Sequence, residues 1–222
     1  MRDRADARIG PELRVDFHFL WLMSDTNDGR LIIISGPSGA GKSTVLRRLL
    51  SKCDLPLKMS ISATTRKPRQ GERDGIDYFF LSAEEFERRR EAGDFLECKR
   101  VFKLGDWYGT LKSQVATGLK AGQWVILEID VQGALAVLEQ KDFDPVSLFI
   151  HPGTMQELER RLRNRATESE EAIAARLETA KSEMRFIDRY QHEIINDSVD
   201  QTVSNICLIL KEHREHQACS KN

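Results

Sequence analysis

The stretch from Leu31 to Thr44 constrains the fold more than any other part of the chain, because it joins an aliphatic run to a glycine-rich turn. Within it, Gly36 to Ser43 matches G-x-x-x-x-G-K-[ST], in which backbone N–H groups and a helix N-terminus surround the phosphates of a nucleoside triphosphate. Glycine tolerates the positive φ angles and close backbone approach that such a loop needs. The pattern therefore predicts a phosphate-binding loop between a buried parallel strand and a helix. The candidate triphosphate-binding residues are Gly36, Pro37, Ser38, Gly39, Ala40, Gly41, Lys42, Ser43 and Thr44.

A magnesium site is predicted beside this loop. Lys42 brings a mobile positive charge to the terminal phosphates, and the Ser43 hydroxyl is a suitable Mg²⁺ ligand. The near-continuous apolar segment 124–130 is predicted to be a buried strand ending in Asp130, a carboxylate that would reach the metal through water. Glu128, two residues earlier, should face the site or have a partner, because an unpaired buried charge is costly.

Composition narrows the class of protein. The length of 222 residues suits one sizeable α/β domain, or a core domain with modest insertions. A net charge of −1 argues against a nucleic-acid binder held by bulk positive charge. The four cysteines show no C-x-x-C spacing, so a reducing, cytoplasmic setting is expected. No apolar run approaches the roughly 18 residues of a membrane span, so no membrane partner is expected.

The first 28 residues mix charges with one small apolar segment, 17–23, and show no sustained periodicity. We expect disorder there, and the short apolar part and upstream acids argue against a signal peptide. Met23 is a candidate for the true start.

Two basic segments suggest anion binding. Arg66 and Arg69 flank Pro68, which disfavours helix, and Arg side chains match phosphate oxygens. Taken alone, this segment is better explained as a solvated basic loop. Further along, arginines crowd the end of a predicted helix at 155–165, where the helix macrodipole alone also favours cations.

Together these motifs resemble those of guanylate kinase, a P-loop nucleoside-monophosphate kinase that transfers the γ-phosphoryl of ATP to GMP, and by extension to dGMP. The resemblance covers about residues 30–210. The matching segments are Ser35–Thr44, Ser60–Arg69 with Gly71 and Glu72, Asp77-Tyr78, Phe95–Glu97, Tyr108–Thr110, Ile129–Gly133, Arg161–Arg176 and Ile195–Asp197.

The resemblance implies a three-layer α/β P-loop kinase fold with a parallel central sheet, an inserted GMP-binding domain and a helical lid. The implied core comprises residues 29–59, 113–151 and 173–213, the insertion 60–112, the lid 152–172, and a flexible tail 214–222. ATP and GMP are the implied partners, and Mg²⁺ is the implied cofactor. The sequence leaves it open whether the protein forms a homo-oligomer.

The resemblance also implies residue roles. The residues implied in catalysis are Lys42, Arg161, Arg165 and Arg176. Asn196 joins the ATP-binding set. The implied GMP-binding residues are Ser62, Arg66, Arg69, Glu72, Tyr78, Glu97, Tyr108, Thr110 and Asp130. Among these, Glu97 suits guanine, because a carboxylate accepts from both N1–H and N2–H₂, whereas adenine presents an acceptor at N1.

Three features depart from the family pattern. Lys99 stands where a small residue is usual, Glu128 stands where Asp is more common, and the connection 103–107 is about two residues longer than usual. Two alternatives remain: a guanylate-kinase-like binding module without catalysis, and a P-loop kinase with another acceptor. The intact loop opposes the first, and Glu97 with the Arg–Pro–Arg segment opposes the second.

Overall fold

A computed structural model describes residues 29–100, 105–140, 143–164 and 169–219. The predictions for residues 1–28, including Met23, and for Arg165 lie outside these described residues. In chain order the elements are β1 (Arg30–Ser35), α1 (Lys42–Lys52), β2 (Leu57–Met59), β3 (Ala63–Thr64), β4 (Phe79–Phe80), α2 (Ala83–Glu91), β5 (Phe95–Arg100), β6 (Trp107–Leu111), α3 (Lys112–Lys120), β7 (Trp124–Glu128), α4 (Val131–Leu138), β8 (Val146–His151), α5 (Met155–Arg163), α6 (Glu170–Met184), a 3₁₀ turn (Ile187–Arg189), β9 (His192–Ile195) and α7 (Val199–Cys219).

The central sheet is parallel, with the strand order β2-β7-β1-β8-β9. Successive side chains of β1 point to opposite faces, as in any strand. Ile32 and Ile34 pack with α1 and α7, whereas Leu31 and Ile33 pack with α3 and α4. Both faces are covered, which explains why residues 31–34 of β1 are all aliphatic and do not alternate with polar residues. The predicted three-layer α/β fold with a parallel central sheet is confirmed.

A second sheet with the order β4-β3-β6-β5 is formed by residues between 63 and 111. Its small core centres on Phe86 of α2, whose ring stacks on Phe95 at 4.3 Å and on Trp107 at 5.7 Å between centroids. Ser82 begins α2 by accepting a hydrogen bond from the Glu85 N–H, as an N-cap serine does. This sheet lies inside the range 60–112 expected for an insertion, although the division into domains remains a prediction.

The segment predicted as a lid, 152–172, contains α5 and the start of α6. Leu158 and Leu162 of α5 pack against Ile173 and Ala180 of α6 in a separate apolar cluster. Thr154 caps α5 through the Glu157 N–H. The two helices therefore pack together as a pair, the α5–α6 pair, with its own apolar core.

One element boundary differs from the sequence prediction. The strand predicted over 124–130 ends at Glu128, and Asp130 is the N-cap of α4. Asp130 Oδ1 accepts a hydrogen bond from the Gly133 N–H at 2.9 Å. An N-cap carboxylate satisfies one of the backbone N–H groups that a helix N-terminus leaves without partners, so the chain turns before Asp130.

Within the described residues, no helix combines the length and the apolar character that crossing a bilayer requires.

Candidate active site

The phosphate-binding loop lies at the carboxyl end of β1, and α1 begins at Lys42. Gly36 has a φ of +133° and Gly41 a φ of +88°, both in the region that favours glycine. A Cβ on Gly36 would lie 2.0 Å from the Ile150 carbonyl oxygen, so β8 packs directly against the loop. These glycines are therefore required both by backbone conformation and by close packing.

Lys42 folds back over the loop. Its Nζ donates hydrogen bonds to the Gly36 carbonyl at 2.6 Å and to the Pro37 carbonyl at 3.0 Å. Burial lowers the pKa of the Lys42 ammonium, and the negative charges of Glu128 and Glu183 oppose that shift. The ammonium is thus held at the loop and surrounded by acids.

Ser43 and Glu128 form the oxygen pair beside the loop. Ser43 Oγ donates a hydrogen bond to Glu128 Oε1 at 2.8 Å. Glu128 is the last residue of β7 and is paired with Ile34 of β1, so it emerges next to the loop. Hydroxyl and carboxylate oxygens are the donors that Mg²⁺ prefers, and the ion usually takes only one or two carboxylates together with substrate phosphates. The pair fits Mg²⁺ in that manner.

Asp130 is turned toward the second sheet. Its Oδ2 accepts a hydrogen bond from Lys99 Nζ at 2.8 Å, and its Oδ1 caps α4. Among the described residues, no group of three or more His, Cys, Asp or Glu is arranged to hold a metal without other ligands. A metal at this site would therefore depend on Ser43, on a nearby carboxylate and on the nucleotide.

Asn196, near the C-terminal end of the chain, is hydrogen-bonded to the backbone of the phosphate-binding loop. It follows β9 and is 3% exposed. Its Nδ2 donates to the Ala40 carbonyl at 2.7 Å, and its Oδ1 accepts from Thr202 Oγ1 at 3.2 Å. A Cβ on Gly41 would lie 2.6 Å from this Nδ2. The amide therefore sits directly against the loop backbone.

Arg161 of α5 joins the same group. Its Nη2 donates to the Asn196 carbonyl at 2.7 Å, and its Nε donates to Glu157 Oε1 at 2.7 Å. Hydrogen bonds from Arg160 and Arg161 lower the pKa of Glu157 to about 2. The structure thus brings Arg161 to the loop. Arg176, on α6, is half-buried.

A second polar cluster lies on the small sheet, centred on Arg66. The guanidinium donates to Glu72 Oε1 at 2.9 Å and to the Tyr108 hydroxyl at 3.1 Å, and lies 5.4 Å from the centroid of the Tyr78 ring. Glu72 also accepts from the Arg69 N–H at 2.7 Å. The hydrogen bond from Arg66 lowers the pKa of Glu72, and the Arg66 pKa is raised in turn. The cluster holds guanidinium and phenol groups together in one place.

Glu97 and Thr110 form a third polar group on the same sheet. Thr110 Oγ1 donates to Glu97 Oε1 at 2.7 Å. Burial raises the pKa of Glu97, and the Thr110 hydrogen bond opposes that shift. Gly133 of α4 is close, since a Cβ there would lie 3.0 Å from Glu97 Oε2. Ser62 immediately precedes β3, and its carbonyl accepts from the Phe79 N–H at 2.9 Å.

A cavity of about 460 Å³ connects the loop with the small sheet. Its lining residues are Gly36, Ser38, Gly39, Gly41, Lys42, Ser43, Thr44, Tyr78, Glu128, Ile129, Asp130 and Glu183. Tyr78 is shared with the Arg66 cluster, so the triphosphate loop and the second polar cluster face one cleft. Glu183 was missed by the sequence reasoning, although its position three residues after the buried Ala180 places it on the inner side of α6.

A parallel sheet with a phosphate-binding loop at its centre, opposed across a cleft by an arginine–tyrosine cluster, defines a P-loop nucleotide kinase. The guanylate kinase family model matches residues 28–213. The chain therefore belongs to the guanylate kinase family, which confirms the resemblance seen in the motifs.

Individual relatives agree with this assignment. The chain is 66% identical over 194 residues to the guanylate kinase of Rhodopirellula baltica, covering 87% of this chain and 93% of that protein. It is 48% identical over 188 residues to the guanylate kinase of Caldanaerobacter subterraneus subsp. tengcongensis, covering 85% and 89% of the two chains. The crystal structure of guanylate kinase from Anaplasma phagocytophilum superposes with a TM-score of 0.66 at 33% identity, covering 84% of this chain and 86% of that one. These similarities do not favour a binding module without catalysis.

Proposed function

We propose that this member of the guanylate kinase family transfers the γ-phosphoryl group of ATP to GMP across the cleft between the loop and the small sheet. One observation carries the proposal: Tyr78 lines the loop cavity while its ring contacts the Arg66 guanidinium. A donor bound at the loop and an acceptor phosphate bound at Arg66 would therefore meet in one cavity.

The acceptor base is assigned to Glu97, Thr110 and Ser62. Glu97 accepts from Thr110, and the remaining lone pairs of its carboxylate suit the adjacent N1–H and N2–H₂ donors of guanine. Adenine would place a lone pair against the carboxylate and leave a half-buried charge unsatisfied, which disfavours AMP strongly. Asp130, near Glu97 and turned to the same side, belongs to this acceptor set.

The acceptor phosphate is assigned to Arg66, Arg69, Tyr78 and Tyr108, with Glu72 orienting the guanidinium. A GMP phosphate is already an anionic nucleophile, so the reaction needs no general base. The main barrier is repulsion between two anionic phosphates, and positioned cations lower it. The Arg66 cluster provides such positive charge on the acceptor side.

The donor triphosphate is assigned to residues 36–44, with Lys42 at the terminal phosphates. Ser43 and Glu128 would hold Mg²⁺, which would supply charge neutralisation when bound. We favour Glu128 over Asp130 as the carboxylate that would hold Mg²⁺, because Ser43 donates a hydrogen bond to Glu128 and Asp130 accepts one from Lys99. In this assignment Asn196 supports the loop through Ala40.

Arginines of the α5–α6 pair, with Arg165 from the segment that joins these helices in sequence, complete the proposed set of cations. Arg161 already contacts Asn196 beside the loop, and we propose that it acts with Arg165 and Arg176 on the ATP phosphates. Closure of these helices over the phosphates would exclude water and suppress ATP hydrolysis. We further propose that the protein works in the cytoplasm in purine nucleotide metabolism and uses ATP and GMP as its partners.

A coupled ADP-release assay with ATP–Mg²⁺ and GMP, dGMP, AMP, UMP or CMP tests the proposal. We expect activity with GMP and dGMP alone. Glu97→Gln should lower kcat/KM for GMP by about a hundredfold, because the introduced amide would place an N–H donor against an N–H donor of guanine. The KM for ATP should stay near the parent value.

Glu91→Gln, at the exposed end of α2, is the matched control and should behave like the parent protein. Absence of phosphoryl transfer to every acceptor would refute the proposed function. Unchanged GMP kinetics in Glu97→Gln would remove Glu97 from base recognition.

A further inference from the structure

Lys99 lies on the face of the small sheet that carries the acceptor-binding groups. The register of β5 and β6 pairs Glu97 with Thr110 and Lys99 with Tyr108. Directly opposed residues of antiparallel strands share a face, as do residues two apart along one strand. The hydrogen bond between Thr110 and Glu97 identifies this face as the polar one. Lys99 therefore lies opposite Tyr108 and next to the Glu97–Thr110 pair on this face.

The Lys99 ammonium is held by one partner and keeps capacity for others. Its Nζ donates to Asp130 Oδ2 at 2.8 Å, and within the part of the chain that the structure describes Asp130 is its one hydrogen-bond acceptor. An ammonium has three N–H donors. The Lys99 side chain is 40% exposed, so its remaining donors are accessible to solvent and to a bound ligand.

In a nucleoside monophosphate the sugar joins the base to the phosphate. If the base is bound at Glu97 and the phosphate at Tyr108 and Arg66, as the proposed function requires, the sugar lies close to Lys99, which adjoins both. We propose that Lys99 is a specificity-determining residue that donates hydrogen bonds to the ribose hydroxyls of the acceptor. Asp130 fixes the ammonium in place and offers an acceptor for a hydroxyl proton.

A purely structural role for Lys99 makes a different prediction. The ion pair with Asp130 joins the small sheet to α4, and loss of that link would weaken every acceptor nucleotide to the same degree. Sugar recognition instead distinguishes acceptors by their hydroxyl groups. The comparison of acceptors with the same base and phosphate therefore separates the two roles.

The experiment measures kcat/KM with ATP–Mg²⁺ for GMP, 2′-deoxy-GMP and 2′,3′-dideoxy-GMP in the parent, Lys99→Met and Lys99→Arg proteins. The parent should prefer GMP over the dideoxy nucleotide by about fivefold, the effect of one or two partly exposed hydrogen bonds. Lys99→Met should reduce that preference to within about twofold, whereas Lys99→Arg, which keeps the charged donors, should retain most of it. The value for 2′-deoxy-GMP then assigns the contact to the 2′ or the 3′ hydroxyl.

Lys52→Met, at the exposed end of α1, is the control and should keep the parent ratios. The inference is overturned if the parent shows no preference for GMP over dideoxy-GMP, or if Lys99→Met keeps the parent preference while both substrates lose activity equally. Failure of the proposed function looks different, because the parent would then transfer no phosphoryl group to GMP at all.

Discussion

Replacing Asn196 by alanine tests whether this residue holds the phosphate-binding loop or contacts the nucleotide. The substitution removes the 2.7 Å hydrogen bond from Nδ2 to the Ala40 carbonyl and the 3.2 Å bond from Thr202 to Oδ1. Ala40 is fully buried, and Arg161 Nη1 at 3.4 Å would be its nearest remaining side-chain donor. The loop carbonyl therefore loses its main partner without gaining access to water.

The expected magnitude follows from these contacts. A buried carbonyl that loses its donor costs about 1–3 kcal/mol, and the longer Thr202 bond contributes about 0.5–1 kcal/mol. The second figure is small because Thr202 Oγ1 also reaches the Ile195 carbonyl at 3.4 Å. Asn196→Ala should therefore lower the free energy of unfolding by about 1.5–4 kcal/mol. In a domain of this size that corresponds to a fall in Tm of about 3–16 °C.

Urea unfolding followed by tryptophan fluorescence and the KM for ATP–Mg²⁺ give the two readouts. Thr202→Val is the control, because it removes one hydrogen bond and leaves the contact with Ala40 intact. It should cost about 1 kcal/mol and change the KM for ATP less than twofold. Parent-like unfolding of Asn196→Ala combined with weakened ATP binding would refute the reasoning, since Asn196 would then act on the nucleotide and not on the loop.

Two further predictions concern the loop glycine and a histidine pair. Gly41→Ala should lower the free energy of unfolding by about 1–3 kcal/mol and raise the KM for ATP, because the φ of Gly41 is +88° and the added Cβ would lie 2.6 Å from Asn196 Nδ2. The control is Gly93→Ala, where φ is +74° and no atom lies within 4 Å of the added Cβ, so it should cost less and leave the KM for ATP unchanged. Equal effects of the two substitutions would show that the contact with Asn196 is not the cause. His192 and His213 share a 2.9 Å contact between their Nε2 atoms, and burial lowers the pKa of each, so the unfolded chain binds protons that the folded chain does not. The contribution of the two histidines to the free energy of unfolding should be fully present above about pH 6.5 and should fall as the pH decreases below that value. His213→Phe should make the urea midpoint depend less on pH between about pH 7.5 and 5. An unchanged pH dependence in this variant would exclude the histidine pair as its source.

Local patterns were sufficient to predict the parts of the structure that depend on local physics. The buried strand β1 and the glycine loop that follows it are each predicted from a few neighbouring residues. Short apolar segments predicted a buried parallel strand before the loop and a buried strand over 124–130. The parallel central sheet as a whole was implied by the resemblance to the family, which depends on motifs along most of the chain.

Contacts between distant segments were beyond such reasoning. The strand boundary at Glu128 depends on Asp130 capping the next helix, and an apolar run that ends in two acids does not show which acid leaves the strand. The assignment of Ser43 to Glu128 is a contact across 85 positions, and that of Lys99 to Asp130 spans 31. Glu183 of α6 lines the same cavity as the loop, although the two are far apart in the sequence.

The hydrogen bond between Asn196 and Ala40 also orders events during synthesis. The two residues lie 156 positions apart, so a growing chain contains the complete glycine motif long before it contains the amide that fastens the loop. At about 5–20 residues per second, the interval is roughly 8–30 s. During that interval the loop lacks its buried partner, because a contact of such sequence separation forms only after most of the domain has been made. The nascent protein would therefore gain a fixed phosphate-binding loop, and with it the ability to consume ATP, only when its last strand has joined the sheet.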